Sequence, residues 1–142
     1  MKLIREILEN KGDEIWFVGP HATVYEAIEI MADKVVGALV VMENDKLVGI
    51  ISERDYARKV ILRGRSSRDT PVLDIMTSRV IETSPDNTVD ECMALMSENK
   101  IRHLPVMQGD KLLGVISIGD LVKETIKEQK STIEQLERYI SG

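Results

Sequence analysis

The chain is poor in cysteine, histidine and aromatic residues, and each shortage removes a class of chemistry. A single cysteine, Cys92, excludes an intramolecular disulfide framework and fits a reducing, cytoplasmic setting. Cys92 and two histidines are too few ligands for a convincing structural metal site. The aromatics are one tryptophan (Trp16), one phenylalanine (Phe17) and three tyrosines, which makes a base-stacking platform for nucleic acid unexpected. A net charge of -5, with both signs interspersed, also argues against a general nucleic-acid binder. No apolar run approaches the length that spans a bilayer, so no membrane partner is expected. The opening Met1-Lys2-Leu3-Ile4-Arg5-Glu6 lacks the apolar core of a signal peptide.

What the 142 residues do contain is a repeat. Hydrophobic residues make up 43% of the chain, enough for one ordinary core. Sliding the sequence by 65 residues aligns Pro20–Tyr56 with Pro85–Leu121 without a gap, and 15 of the 37 positions are identical. They include Thr23-Val24/Thr88-Val89, Glu26/Glu91, Met31/Met96, Asp45-Lys46-Leu47/Asp110-Lys111-Leu112, Gly49/Gly114, Ile51-Ser52/Ile116-Ser117 and Asp55/Asp120. Each half is too small to bury much core alone, so the two are expected to face one another about a pseudo-twofold axis.

Hydrophobic periodicity gives each half the order β-α-β-β-α. Ile15–Val18 is expected as a strand, closed by Gly19-Pro20. Thr23-Val24-Tyr25-Glu26 reads as a capping box opening a helix to about Lys34, with Val24, Ala27, Ile28 and Met31 inward. Thr88-Val89-Asp90-Glu91 opens its counterpart, with Val89, Cys92, Met93 and Met96 inward. Cys92 falls opposite Ala27, which suits a small core residue better than a nucleophile. Gly37–Met42 and Lys46–Ser52 form a hairpin around Asn44-Asp45, and Leu104–Met107 and Lys111–Ser117 form another. Val80–Thr83 is expected to be the first strand of the second half, after one helical turn at Val72–Thr77. The expected organisation is an N-terminal helix over 1–14, repeats over 15–63 and 80–128, a linker over 64–79 and a helical tail over 129–142. Ile133, Leu136 and Ile140 form a stripe on that tail, suited either to packing in cis or to a dimer contact.

The most informative stretch is Leu47-Val48-Gly49-Ile50-Ile51-Ser52-Glu53-Arg54-Asp55, which returns as Leu112-Leu113-Gly114-Val115-Ile116-Ser117-Ile118-Gly119-Asp120. Each copy is a buried strand turning directly into a helix. Ser and Asp three residues apart are a helix cap. They are equally a polar pair at a helix N-terminus, where unpaired N–H groups favour an anionic or hydroxyl-rich ligand. The two roles are compatible.

Two β-α-β-β-α repeats, each ending in Gly-h-h-Ser-x-x-Asp (h apolar), resemble the cystathionine-β-synthase (CBS) domain. The phrases Ile101-Arg102-His103-Leu104-Pro105-Val106 and Asp74-Ile75-Met76-Thr77 are similar to phrases common in that family. The resemblance spans about 15–128 and implies an α/β (α+β) fold: a tandem pair, or Bateman module, with extra N- and C-terminal helices. It also implies two clefts between the halves that bind adenosine-type regulatory ligands: AMP, ADP, ATP, NAD or S-adenosylmethionine. By that resemblance Asp55 and Asp120 hold ribose hydroxyls, and Ser52 and Ser117 help hold ribose or phosphate. Adenine would lie among Phe17, Val18, Ala38, Leu39 and Ile50 in one cleft, and Ile81, Leu104, Pro105 and Val115 in the other.

The chemistry of the residues agrees, since one carboxylate can accept both hydrogens of a vicinal diol. Candidate phosphate partners are Arg54, Arg102 and His103, with Arg58, Lys59, Arg63, Arg65 and Arg68 as further basic residues; salt bridges to Asp69 or Glu82 are the alternative use of these side chains. Glu53-Arg54 becomes Ile118-Gly119 in the second copy, so the two sites are expected to differ in charge. There is no nucleophile–base pair, glycine-rich phosphate loop or metal cluster, and the expected function is regulatory, not enzymatic. The expected partners are an adenosine-type ligand, a second copy of the chain and an unidentified regulated protein. The alternative is an interaction or dimerisation module with vestigial clefts.

Overall fold

Asn44 and Asp45 have φ of 52° and 62°, the left-handed values that a tight two-residue hairpin needs at both central positions. The strands they join, β2 (Ala38–Glu43) and β3 (Lys46–Ser52), are antiparallel, with Ala38 opposite Ser52 and Val40 opposite Ile50. A short strand, β1 (Phe17–Val18), adds in parallel on β2, pairing Phe17 with Val40 and Val18 with Val41. The second hairpin, β4 (His103–Gln108) and β5 (Lys111–Ser117), turns through Gly109 at φ 62°. These elements come from a computed structural model that describes residues 2–12 and 14–141.

The helices are α1 (Ile4–Lys11), α2 (Val24–Lys34), α3 (Glu53–Lys59), α4 (Val89–Asn99) and α5 (Ile118–Ser141). The expected capping boxes close at both repeat helices. Thr23 Oγ1 accepts from the Glu26 N–H at 3.2 Å while the Glu26 carboxylate accepts from the Thr23 N–H at 3.1 Å. Thr88 and Glu91 do the same at 3.1 and 3.3 Å. Val24, Ala27 and Met31, like Val89, Cys92 and Met96, are buried, while Ile28 and Met93 are half-buried. Cys92 is a core residue bonded to Thr83 Oγ1 at 3.1 Å. Burial pushes its thiol pKa up, which keeps it protonated and poorly nucleophilic.

The chain forms two units. The first is Glu14–Glu82 with Gly109–Leu112. Its core joins Val18, Leu39, Val41 and Ile51 of the sheet to Val24, Ala27 and Met31 of α2, and to Val60, Val72 and Ile75. The second unit is Met1–Asp13 with Thr83–Gln108 and Leu113–Gly142. The N-terminal helix therefore belongs with the second repeat. Leu3 bridges Thr88, the Ile4 N–H donates to the Asn87 carbonyl at 2.9 Å, and Ile4 and Ile7 are buried.

One expectation is revised and one open alternative is narrowed. The strand expected at Val80–Thr83 is reduced to one parallel bridge, Thr83 to Val106. It is the counterpart of Val18 with Val41, and the counterpart of Phe17 with Val40 is missing. That second bridge would need an N–H from Pro105, and proline has none. The tail continues α5 without a break through Ser141. Val122, Ile126, Ile133, Leu136 and Ile140 are exposed along it, so the stripe does not pack in cis. No helix among the described residues is long and apolar enough to cross a membrane.

The glycine of each motif is explained by close approach. A Cβ on Gly49 would lie 2.6 Å from Met76 Sδ and 3.1 Å from the Thr77 carbonyl oxygen; on Gly114 it would meet only the Leu8 side chain, with Cδ2 at 2.8 Å. Gly49→Ala is therefore expected to destabilise by about 1–3 kcal/mol and Gly114→Ala by less, since a leucine tip can swing aside and a backbone carbonyl cannot. Paired urea denaturation curves check the order. Val35 ends α2 in the left-handed region at φ 56°, exposed and β-branched. Val35→Gly is expected to stabilise by about 1 kcal/mol in the same measurement.

Candidate functional site

The two strand-to-helix junctions are built alike. In the first unit, β3 ends at Ser52 and α3 begins at Glu53. Ser52 Oγ accepts from the Asp55 N–H at 3.2 Å, and Asp55 Oδ2 accepts from the Ser52 N–H at 3.0 Å and from Ser52 Oγ at 3.1 Å. The Glu53 N–H donates to the Gly37 carbonyl at 3.0 Å, which fixes the helix start against the beginning of β2. In the second unit the Asp120 N–H donates to Ser117 Oγ at 3.2 Å, and the Ser117 N–H to Asp120 Oδ2 at 2.8 Å. The Ile118 N–H donates to the Arg102 carbonyl at 2.8 Å. Both motifs are thus capping boxes, and each holds its carboxylate at a helix N-terminus where the dipole favours negative charge.

Each carboxylate is also met by a lysine that reaches a backbone carbonyl. Lys59 Nζ lies 3.1 Å from Asp55 Oδ1 and donates to the Ile75 carbonyl at 2.9 Å. Lys11 Nζ lies 2.6 Å from Asp120 Oδ2 and donates to the Val115 carbonyl at 2.7 Å. Lys59 comes from the same helix at i,i+4, a pairing readable in the sequence. Lys11 comes from the last turn of α1, 109 positions away, and no local signal announces it.

The other candidate residues sort by unit. Ala38 faces Ser52 across the sheet, Val18 is part of the core, and Phe17 is 59% exposed. Arg54 is exposed on α3 next to Asp55. In the second unit His103 opens β4 half-buried, Arg102 beside it is exposed, and Leu104 and Pro105 are buried. Pro105 offers its carbonyl to the Thr83 N–H at 2.9 Å. Ile81, grouped in the sequence with Leu104 and Pro105, belongs instead to the first unit. Of the linker arginines, Arg65 pairs with Asp74 at 2.8 Å and Arg68 lies over the Tyr25 ring, 4.0 Å from its centroid. These internal partners, rather than Asp69 or Glu82, take both side chains.

Electrostatics distinguish the second site. Burial pushes the Asp120 carboxyl pKa up, but the Lys11 ammonium and the Ser117 N–H outweigh it and hold the carboxyl below its ordinary value. His103 is held below the usual imidazole value by burial and by the Lys11 and Arg102 cations, against the opposing pull of Asp120. It is therefore a neutral imidazole at neutral pH, able to donate one hydrogen bond and accept another. A base with a lowered native pKa contributes stability fully above the ordinary imidazole pKa. That contribution is lost as pH falls from there through the native value. The His103 ring is expected to titrate below a model histidine in an NMR pH series, and Lys11→Met is expected to move it upward. No movement would show that the ammonium does not sit at this site.

The CBS-domain family model matches residues 4–62 and 72–127. The chain is 41% identical, over 98% of its length, to the mitochondrial CBS domain-containing protein CBSX3 of Arabidopsis thaliana, 72% of which it covers. A CBS-domain protein from Burkholderia ambifaria MC40-6 shares its fold at TM-score 0.87 and is 50% identical, covering 90% of this chain and 96% of that one. The CBS domain pair of protein MJ0100, solved with 5′-methylthioadenosine and S-adenosyl-L-methionine, is similar at TM-score 0.80 and 24% identity, covering 90% of this chain and 98% of that one. CBS pairs are regulatory modules. With both repeats matched and the likeness sustained along almost the whole chain, the protein belongs to the CBS-domain family as a tandem pair.

Proposed function

We propose that the protein is a ligand-sensing regulatory module that binds an adenosine-type ligand and passes the change to a partner protein. The observation that carries this reading is the paired Ser-x-x-Asp geometry. Ser52 with Asp55, and Ser117 with Asp120, each set a carboxylate acceptor beside a helix N-terminus and a lysine ammonium. A carboxylate suits the vicinal diol of a ribose; N–H groups and an ammonium suit a phosphate. AMP, ADP, ATP and NAD carry both. The complex of the MJ0100 pair supports the adenosine part of this reading as a likeness of fold.

The sites are unequal. Asp55 has Ser52 on Oδ2 and Lys59 on Oδ1, whereas among the described residues the hydrogen bonds to Asp120 fall on Oδ2. Asp120 Oδ1 is the oxygen better placed for a diol, so the second site is the stronger candidate.

A second reading has its own support. The exposed stripe Ile126, Ile133, Leu136 and Ile140 on α5 suits a protein contact, a second copy of the chain among the possibilities. The protein would then act as an interaction or dimerisation module whether or not the Ser-x-x-Asp sites are filled.

A thermal-shift screen with AMP, ADP, ATP, NAD, NADH and S-adenosylmethionine separates the two. The sensor reading expects a rise of several degrees with at least one compound, since preferential binding to the folded state raises the midpoint. It expects a smaller rise in Asp120→Ala than in Asp55→Ala. A flat response from well-folded wild type across the panel would leave the interaction module as the function.

A further inference from the structure

We propose that Lys11 makes the second site selective for a phosphorylated adenosine over a neutral or cationic one. The inference rests on the sensor reading and adds the ligand's charge class, set by a residue outside the motif.

The second unit sets a lysine on its motif carboxylate and a second cation against the neighbouring histidine. Lys11 bonds Asp120 directly, and the Lys11 and Arg102 charges both act on the adjoining His103. Asp120 is the motif's one charged residue there, because Ile118-Gly119 stand where the first repeat has Glu53-Arg54. Lys11 Nζ spends two of its three N–H donors on Asp120 Oδ2 and the Val115 carbonyl. The third can meet a ligand without breaking either bond.

A ribose whose hydroxyls engage Asp120 Oδ1 leaves Lys11 on Oδ2, with its third N–H turned to the rest of the ligand. In a nucleoside 5′-phosphate the anion hangs from the same sugar as the diol, within the sweep of a four-carbon lysine stem. The phosphate can therefore accept that third N–H as a charge-assisted hydrogen bond. 5′-Methylthioadenosine offers the same base and diol with an uncharged thioether in place of the phosphate, and gives that N–H no anion to meet. S-Adenosylmethionine puts a sulfonium where the phosphate would stand, against the like charge of the Lys11 ammonium.

Lys11 is well suited to this role because its position is fixed from below. Ile4 and Ile7 are buried, the Leu3–Thr88 bridge ties the start of α1 to the second repeat, and Leu8 lies against Gly114. The stem is anchored and the ammonium, with its side chain 42% exposed, is the movable end.

The test is isothermal titration calorimetry with AMP, 5′-methylthioadenosine and S-adenosylmethionine. It uses the full chain in an Asp55→Ala background, so that only the second site is counted. The parent is expected to bind AMP at least about tenfold more tightly than 5′-methylthioadenosine, the scale of one charge-assisted hydrogen bond. Lys11→Met, which keeps the apolar stem, is expected to cut AMP affinity about tenfold and leave 5′-methylthioadenosine within about twofold. Lys11→Arg is expected to retain the preference for AMP. Equal loss for both compounds in Lys11→Met would make Lys11 merely structural and overturn the proposal. So would a parent that binds 5′-methylthioadenosine or S-adenosylmethionine as tightly as AMP. Both outcomes would leave the sensor reading standing. Failure of the Asp55→Ala protein to bind any of the three would overturn the selectivity proposal; failure of wild type as well would overturn the sensor reading with it.

Discussion

The whole arrangement depends on a carboxylate bonded back onto the N–H of the residue three before it. At Ser52/Asp55 and Ser117/Asp120 this bond starts a helix at the last residue of a strand, with no loop between. A loop would let the helix axis wander. The direct junction, with the Glu53 and Ile118 N–H groups tied to Gly37 and Arg102, fixes the axis and the carboxylate together. The glycine three residues earlier serves the same end, since Gly49 leaves room for Met76 and the Thr77 carbonyl against the strand that carries the motif. Stability and the proposed recognition therefore draw on the same few atoms, and a substitution at either aspartate removes a helix cap along with the proposed ligand acceptor.

Duplication has left the two copies with the same frame and different electrostatics. The first copy pairs its aspartate within one helix and carries Glu53 and Arg54 at its mouth. The second recruits its cation from a helix that precedes both repeats. Because α1 joins the second unit, a segment outside the repeat pattern supplies the cation at one motif and not at the other. A duplicated module can thus carry two different electrostatic settings without altering the Ser-x-x-Asp core of either.

Much of this was legible in the sequence because it is local. Capping boxes at Thr23/Glu26 and Thr88/Glu91, the Asn44-Asp45 hairpin, and the inward faces of α2 and α4 all depend on residues within a turn of one another. The family resemblance came from the same local words, repeated. The rest was hidden by distance or by one atom. Lys11 reads as an ordinary last-turn lysine until the fold brings Asp120 to it. The strand expected at Val80–Thr83 has β-branched residues enough, and shrinks because its partner Pro105 lacks a hydrogen. The use of the tail stripe was open because Ile133, Leu136 and Ile140 suit packing in cis and a dimer contact alike.

That tail gives the second site mechanical reach. Ser117 caps the same helix whose last described residue is Ser141, so the group that would hold a ribose also forms the root of a rod of 24 residues, about 36 Å long. A tilt of about 10° at the root sweeps the tip through about 6 Å, more than a full helical turn's rise. A helix of that length would work as a pointer: a ligand-driven adjustment of a few tenths of an ångström among Ser117, Asp120 and Lys11 would arrive enlarged at Leu136 and Ile140.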